Sequence, residues 1–151
     1  MMKVGYLVER GATLEFLIRN VLRTLINNDL TGGVISAGKD VGQMVQMGQA
    51  LIKAYIAAGD TSVGTAEQLE ALAGAFRTVP DMMKKRSQVI HGIQMRTVDG
   101  GLHFGRSQHW NPLLTVTGGV DPQYLDDLID LAETVIRNVS KAANNCTASP
   151  S

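Results

Sequence analysis

Apolar residues recur along most of this chain at the three- and four-residue spacing of α-helices that bury one face. Thr13 predicts the N-cap of a first helix, whose apolar stripe runs to Ile26. A second helix is expected over residues 39–58, with Gly59 as its stop. Residues 30–38 contain several small residues and are expected to form a connection between these two helices.

Two more helices are indicated further along the chain. Thr65 and Gln68 have the spacing of a capping box and predict the start of a third helix. Pro80 marks either a kink or a fresh helix start, because proline fits a first turn and breaks an interior one. The helical pattern then continues to Gly92. The last helix is expected to open at Asp121, which stands in N-cap position before a proline.

The period changes from helical to alternating after residue 92. Residues 93–98 alternate, residues 99–101 read Asp-Gly-Gly as in a hairpin turn, and residues 102–106 return. Residues 113–117 are a candidate third strand. The sequence therefore predicts a mainly α fold, a four-helix bundle with a small β-hairpin unit at about residues 93–117 before the last helix.

The chain has 151 residues, which suits one domain with a sizeable core. Hydrophobic residues make up 44% and charged residues 19%, a composition typical of globular proteins. Residues 4–8 predict either a strand or an extended lead-in. We expect a single domain over residues 1–144 and a flexible polar tail over residues 145–151.

The charge balance limits the kinds of partner. Lysine plus arginine number 14 and acidic residues 14, so the chain lacks a global basic field for nucleic acid. Any such binding would come from a local patch, of which the run of Lys84, Lys85 and Arg86 is the densest.

Cysteine usage and hydropathy indicate the compartment. Cys146 is the single cysteine, so an internal disulfide and a Cys/His zinc spacing are both excluded. Residues 1–11 lack the apolar stretch of a signal peptide, and the sequence predicts no membrane span. We expect a cytoplasmic protein that does not bind membranes.

Arg86 and His91, in the run RSQVIH, are the residues most suggestive of chemistry. An arginine that stays charged and a histidine that titrates near neutrality can hold a phosphate and move its protons without a metal. Five residues advance a helix by about 500°, so the pair shares a site only if the helix ends near Ile90 or if two copies meet across a dimer axis. Otherwise Arg86 is a surface residue and His91 caps its helix.

Further candidates lie outside this motif. Glu15 either faces Arg86 and holds its guanidinium or is an exposed first-turn acid favoured by the helix dipole. His103, Arg106 and Trp110 either line an RNA path, with the indole stacking on a base, or pack over the predicted hairpin. The histidine positions lack compact ligand spacing, so no metal site is predicted.

Three stretches of the chain resemble one family. Residues 12–18 read ATLEFLI, the second helix opens after a Gly-Lys pair at 38–39, and residues 85–92 read KRSQVIHG. They resemble the HEPN superfamily, four-helix domains with an R-x(4–6)-H motif found in toxin, abortive-infection and CRISPR-associated ribonucleases. The third stretch is similar to the family signature RN-x-x-x-H-G. With the closing helix, the resemblance covers most of residues 13–140.

The resemblance implies that Arg86 and His91 are catalytic and meet a second copy of the pair in a homodimer. The implied activity is cleavage of RNA without a metal or cofactor, in which the 2′-hydroxyl attacks its own phosphate. Ser87, Glu15 and Lys85 would support this site or touch the substrate. The implied context is defence or toxin–antitoxin biology, with an antitoxin or defence protein as partner.

Ser87 stands where the family usually has Asn, Asp or His, and it cannot carry charge. Together with the neutral net charge, this favours an alternative hypothesis, a non-catalytic HEPN-like module that binds nucleotide, RNA or protein. Arg86 and His91 would then bind a nucleotide or a carboxylate, or only cap a helix. Facing pairs in one open cleft would favour the enzyme, and a buried or separated pair would favour the module.

Overall fold

The computed structural model describes residues 2–27, 29–99, 114–115 and 119–147. This part of the chain is mainly helical, which confirms the predicted mainly α bundle. Two short strands pair antiparallel before the last helix. In chain order the elements are α1 (Met2–Ile26), α2 (Asp29–Ser36), α3 (Val41–Ala58), α4 (Ala66–Arg77), α5 (Val79–Asp99), β1 (Leu114–Thr115), β2 (Gly119–Val120) and α6 (Pro122–Thr147).

One core joins the helices. Helix α1 contacts α2, α3, α5 and α6, and α4 packs between α3 and α6. Each long helix buries residues three or four apart, because these share one face of a helix. The largest side chains without exposed surface include Leu14, Ile18 and Leu22 of α1, Met44 of α3, Phe76 of α4 and Met82 of α5.

The predicted capping box of α4 is confirmed, and α3, expected from residue 39, begins at Val41 with a capping box of its own. Oδ1 of Asp40 accepts from the Gln43 amide at 2.8 Å, and Oγ1 of Thr65 accepts from the Gln68 amide at 3.1 Å. Each glutamine returns a bond to its cap, so two otherwise free amides are satisfied at each helix start. Gly59 ends α3 with φ of 66°, the left-handed conformation that glycine adopts most readily.

Pro80 and Asp121 both lie at the starts of helices. Pro80 lies in the first turn of α5, so it is a fresh helix start rather than a kink. Oδ1 of Asp121 accepts from the Gln123 amide at 3.0 Å at the start of α6. The carboxylate therefore satisfies one of the free amides of that first turn.

The expectation for residues 4–8 is wrong, because these residues are helical and α1 begins at Met2, about three turns before Thr13. Leu7 continues the buried stripe at seven residues from Leu14, a spacing that a five-residue window cannot reveal. This extension is attached to α6. Lys3 forms an ion pair with Asp126 at 2.7 Å, and the Tyr6 hydroxyl donates to Glu133.

The expected connection at residues 30–38 is also wrong, since most of it forms α2. Two glycines make this segment a poor helix former by itself, so contacts with α1 stabilise it. A Cβ on Gly32 would lie 2.9 Å from Cα of Arg23, which shows how closely the two helices approach. Nη1 of Arg19 donates to the Ser36 carbonyl at 3.0 Å and satisfies the end of α2.

The predicted hairpin unit is the largest error. Residues 93–98 continue α5, which ends at Asp99, so the first strand of that hairpin is helical. Gly92 does not stop the helix, because one interior glycine costs only about 1 kcal/mol. The observed ladder pairs Leu114 with Val120, which differs from the predicted pairing, and residues 102–106 lie outside the described residues.

The predicted tail begins too early. Helix α6 continues through Thr147, and Cys146 is buried beside Gly64. Burial raises the pKa of the Cys146 thiol. Residues 145–147 therefore belong to the folded domain, and residues 148–151 lie outside the described part of the chain.

Helices α3 and α4 touch at Gly48. A Cβ there would lie 2.3 Å from Cε2 of Phe76, whose ring has no exposed surface. Nε2 of Gln49 also donates to the Ala73 carbonyl at 3.1 Å. The Phe76 ring fits against α3 because Gly48 has no side chain.

We predict that Gly48→Ala lowers the free energy of unfolding by about 1–3 kcal/mol, because the buried Phe76 ring must shift. Gly42→Ala in the same helix is the control, since its Cβ would meet only Oδ1 of Asp40 at 3.4 Å. Urea denaturation measures both variants. Equal stability of the two would contradict the close contact between α3 and α4.

We predict that Cys146 in the native protein reacts with a thiol reagent at least about 100-fold more slowly than in urea, because the reagent needs a local opening. The raised pKa also leaves less thiolate at pH 8 than an exposed thiol would have. Cys146→Ala/Gln46→Cys supplies an exposed thiol as control. Fast labelling of native wild type would place residue 146 outside the fold.

Candidate functional site

Arg86 leaves α5 towards α1 and is half-buried there. A Cβ on Gly11 would lie 2.1 Å from Nε of Arg86 and 2.5 Å from its Cζ. Nη2 donates to the Val8 carbonyl at 3.4 Å, a long and weak hydrogen bond. The guanidinium therefore packs against α1 at Gly11, where there is no side chain. The sequence analysis missed this role of the glycine.

The charge of Arg86 is affected by burial and by one carboxylate. Desolvation lowers the pKa of Arg86, and the nearby Glu15 carboxylate opposes this shift. The guanidinium still remains charged at all working pH values. Within the described part of the chain its buried Nε has no hydrogen-bond partner. The Arg86 guanidinium thus places a positive charge and an unpaired Nε–H donor beside α1.

Glu15 influences Arg86 through space and bonds to another residue. Its Oε1 accepts from Nη2 of Arg19 at 3.0 Å, an ion pair one turn apart on α1. The prediction that Glu15 lies near Arg86 agrees with its electrostatic effect on that guanidinium. The ion pair between Glu15 and Arg19 replaces the predicted direct contact between Glu15 and the Arg86 guanidinium.

His91 is exposed, and it lies on another side of α5 from Arg86. Because α5 continues past Ile90 to Asp99, five residues separate the two by about 140° around the axis and about 7.5 Å along it. The condition for convergence within one chain, a helix end near Ile90, is not met. Convergence across two copies stays a prediction.

A shallow groove of about 430 Å³ lies where α5 meets α1 and α3. Its walls include the predicted residues Glu15 and Ser87 together with Asp40 and Lys84, and its floor is partly apolar. The sequence analysis did not single out Asp40, and its nearness to Ser87 depends on how α3 meets α5. Two carboxylates, one ammonium group and one hydroxyl group among these residues suit a polar ligand better than a purely apolar one.

The remaining predicted residues contribute unequally. Nζ of Lys85 pairs with Asp81 at 3.1 Å one turn earlier, and both side chains are largely exposed. His103, Arg106 and Trp110 lie outside the described residues. In the described ranges, no cluster of three or more His, Cys, Asp or Glu side chains could hold a metal ion. Nor does any helix described there have the length and apolar character needed to cross a membrane.

We predict that Gly11→Ala is destabilising by about 1 kcal/mol or more in wild type, because the new methyl displaces Arg86. In an Arg86→Ala background, the same change should stabilise by about 0.5–1 kcal/mol, the usual gain of helix propensity. Gly5→Ala, with open space around its Cβ, should stabilise both backgrounds equally. Urea denaturation of these variants forms a double-mutant cycle, and additive effects at Gly11 and Arg86 would contradict their contact.

Comparison of the chain with protein families, with curated proteins and with solved structures gives no match. The features that bear on function are therefore the motif on α5, the geometry around Arg86 and His91, and the groove that includes Ser87.

Proposed function

We propose that this chain is a metal-independent endoribonuclease of the HEPN type that acts as a homodimer. His91 would transfer protons, and Arg86 would neutralise the phosphate under attack. The observation that carries the proposal is that the R-x4-H pair lies on one long helix of a helical bundle, with His91 open to solvent and Arg86 anchored on α1.

Because the two side chains are separated on α5, a site that uses both of them would need two chains. A proton-transfer group has to come within hydrogen-bond distance of the substrate, and an exposed His91 can do so. Arg86 lies about 140° away around α5 and cannot meet that histidine on the same continuous helix. A second chain with its own α5 can bring His91 of one copy to Arg86 of the other, as in a closed two-fold dimer.

The chemistry follows from these two groups. The RNA 2′-oxygen forms a bond to the adjacent phosphorus, and the bond from phosphorus to the 5′-oxygen breaks. A histidine accepts the proton of the 2′-hydroxyl, and the leaving 5′-oxygen takes a proton from the resulting imidazolium or from water. The guanidinium stabilises the charge that builds up on the phosphoryl oxygens. Lys84 and Ser87, at the neighbouring groove, would contact the RNA backbone.

A second candidate is a non-catalytic module that binds RNA, nucleotide or protein. The observation in its favour is that Arg86 and His91 are separated within the chain and that Arg86 is half-buried. In this case Arg86 is mainly a packing residue between α5 and α1. The groove beside Ser87 would then be the binding surface. For either candidate, cytoplasmic location and a defence or toxin–antitoxin role, with an antitoxin or defence partner, are part of the proposal.

We predict that the purified protein cleaves a mixed RNA pool in excess EDTA, because neither group needs a metal. His91→Ala and Arg86→Ala should each reduce cleavage by about 100-fold or more. Gln46→Ala, at an exposed position of α3, is the matched control and should cleave as wild type does. Fragment analysis on denaturing gels measures all four proteins.

Intact RNA with wild type would reject the nuclease, and RNA binding by that same protein would then select the module. Cleavage that EDTA abolishes would reject the metal-free mechanism. Circular dichroism of each variant shows whether the helical fold is retained.

We also predict that a mixture of Arg86→Ala and His91→Ala proteins regains cleavage. Half of randomly formed dimers are mixed, and each has one complete site of two, so activity should reach about a quarter of wild type. Each protein alone is the control. If both variants are inactive alone and their mixture stays inactive while mixed dimers form, the site does not combine Arg86 and His91 from different chains.

A further inference from the structure

A recess of about 150 Å³ lies between α1, α4 and the end of α6. Protein interiors are close-packed and leave few spaces larger than a water molecule. An apolar cavity of about this volume can hold a molecule as large as benzene. Five buried side chains form the apolar floor of the recess: Val21, Leu25, Val63, Leu72 and Cys146.

The walls of the recess are held by contacts within the chain. Helices α1 and α4 both pack against α6. Oγ1 of Thr65 accepts from the Gln68 amide at 3.1 Å and fixes the start of α4 beside Val63. A Cβ on Gly64 would lie 3.3 Å from Sγ of Cys146, so the loop before α4 packs closely on α6. Because the walls are already ordered, a ligand that enters the recess has little ordering of the chain to offset.

Polar groups lie at the open side of the recess. Asn20, Thr24 and Asn144 place amide and hydroxyl groups there, and Thr24 and Asn144 are exposed. The Thr24 hydroxyl donates to the Asn20 carbonyl at 3.2 Å, and its oxygen can still accept a hydrogen bond. An apolar floor with a few polar groups at its edge suits an apolar molecule that has one hydroxyl or N–H group.

The charge of the lining restricts the ligand further. Among the residues that the structure describes, those that line the recess are all uncharged. A charged group at the floor would lose its hydration without gaining an ion pair, which is unfavourable. The lining therefore favours a neutral molecule, and the volume limits that molecule to about one six-membered ring.

We infer that the recess is a binding site for a neutral amphiphile of about the size of phenol. Its ring lies against Leu25, Leu72 and Cys146, and its hydroxyl group lies at the edge, where Thr24 can accept a hydrogen bond. Such a small and partly enclosed ligand binds with a dissociation constant on the order of 1 mM.

This site is separate from the one in the proposed function. Val21 follows Gly11, where Arg86 packs, by ten residues, so the two positions are about 15 Å apart along α1. Arg86 and His91 are not among the residues that line the recess. Binding at the recess requires neither RNA cleavage nor a second copy of the chain, and it can be measured on a protein that shows neither.

The test is an NMR titration of the isotope-labelled full chain with phenol up to about 10 mM, followed through the amide chemical shifts. Wild type should show shifts that saturate with a dissociation constant on the order of 1 mM and are largest at residues 20–25, 63–64 and 143–146. Benzoate, which has the same ring and a negative charge, should bind at least about tenfold more weakly.

Ala143→Leu should weaken phenol binding by at least about tenfold, because Ala143 lines the recess and the larger side chain occupies it. Ala54→Leu, at an exposed position of α3, is the matched control and should bind phenol as wild type does.

The Cys146 thiol supplies a second measurement that needs no change in the recess. Labelling of native wild type by a thiol reagent should slow about tenfold at about 10 mM phenol, because the ligand opposes the opening that exposes the thiol. Cys146→Ala/Gln46→Cys, whose thiol is exposed on α3, should be labelled at the same rate with and without phenol.

Three results would overturn the inference. The first is a set of shifts that does not saturate or is scattered over the surface, together with unchanged labelling of Cys146. The second is benzoate binding as tight as that of phenol. The third is undiminished phenol binding by Ala143→Leu when its spectrum shows a retained fold. His91→Ala should bind phenol as wild type does, so failure of the nuclease and failure of this site give different results.

Discussion

Helix α1 contacts four other helices, and at two of those contacts a glycine lets an arginine lie against the backbone. At Gly11, the guanidinium of Arg86 occupies the space that a side chain on α1 would fill. At Gly32, the short helix α2 lies directly on the backbone of Arg23. Close packing leaves little freedom to rotate at such points. The two glycines therefore determine which sides of α5 and α2 face α1, and so which sides face solvent.

The rotation of α5 determines what its motif can do. Arg86 faces α1 and is partly desolvated, and the Glu15 carboxylate compensates part of that cost. Because Glu15 also pairs with Arg19, this carboxylate is shared by two cations. The buried Nε of Arg86 lies against Gly11 and has no hydrogen-bond partner in the described part of the chain. His91 is left exposed on a different side, so any site that uses both groups has to involve more than one face of α5.

The rotation of α2 has a different consequence. Its small residues make the approach to α1 possible, and its large apolar residues are left at the surface. Leu30 and Val34 therefore gain little from burial within the described part of the chain. The same close contact that stabilises a glycine-rich helix thus leaves apolar side chains at the surface.

The sequence by itself determined the features that depend on local chemistry. The capping box at Thr65, the stop at Gly59 and the start at Asp121 all lie where their side chains predict, and Pro80 opens a helix, one of its two expected roles. Caps and turns use bonds between residues two to four apart, so a short stretch of sequence contains the whole interaction. The amphipathic stripes likewise predicted a mainly helical bundle.

Only the tertiary structure decided the features that depend on distant neighbours. Residues 30–36 contain poor helix formers and become helical through α1, while residues 93–98 alternate like a strand and yet continue α5. The place of Arg86 on Gly11 joins residues 75 positions apart in the chain, and no local pattern contains that contact. The motif could therefore be located from the sequence, but the directions of Arg86 and His91 could not, because helix packing sets the rotation and length of α5.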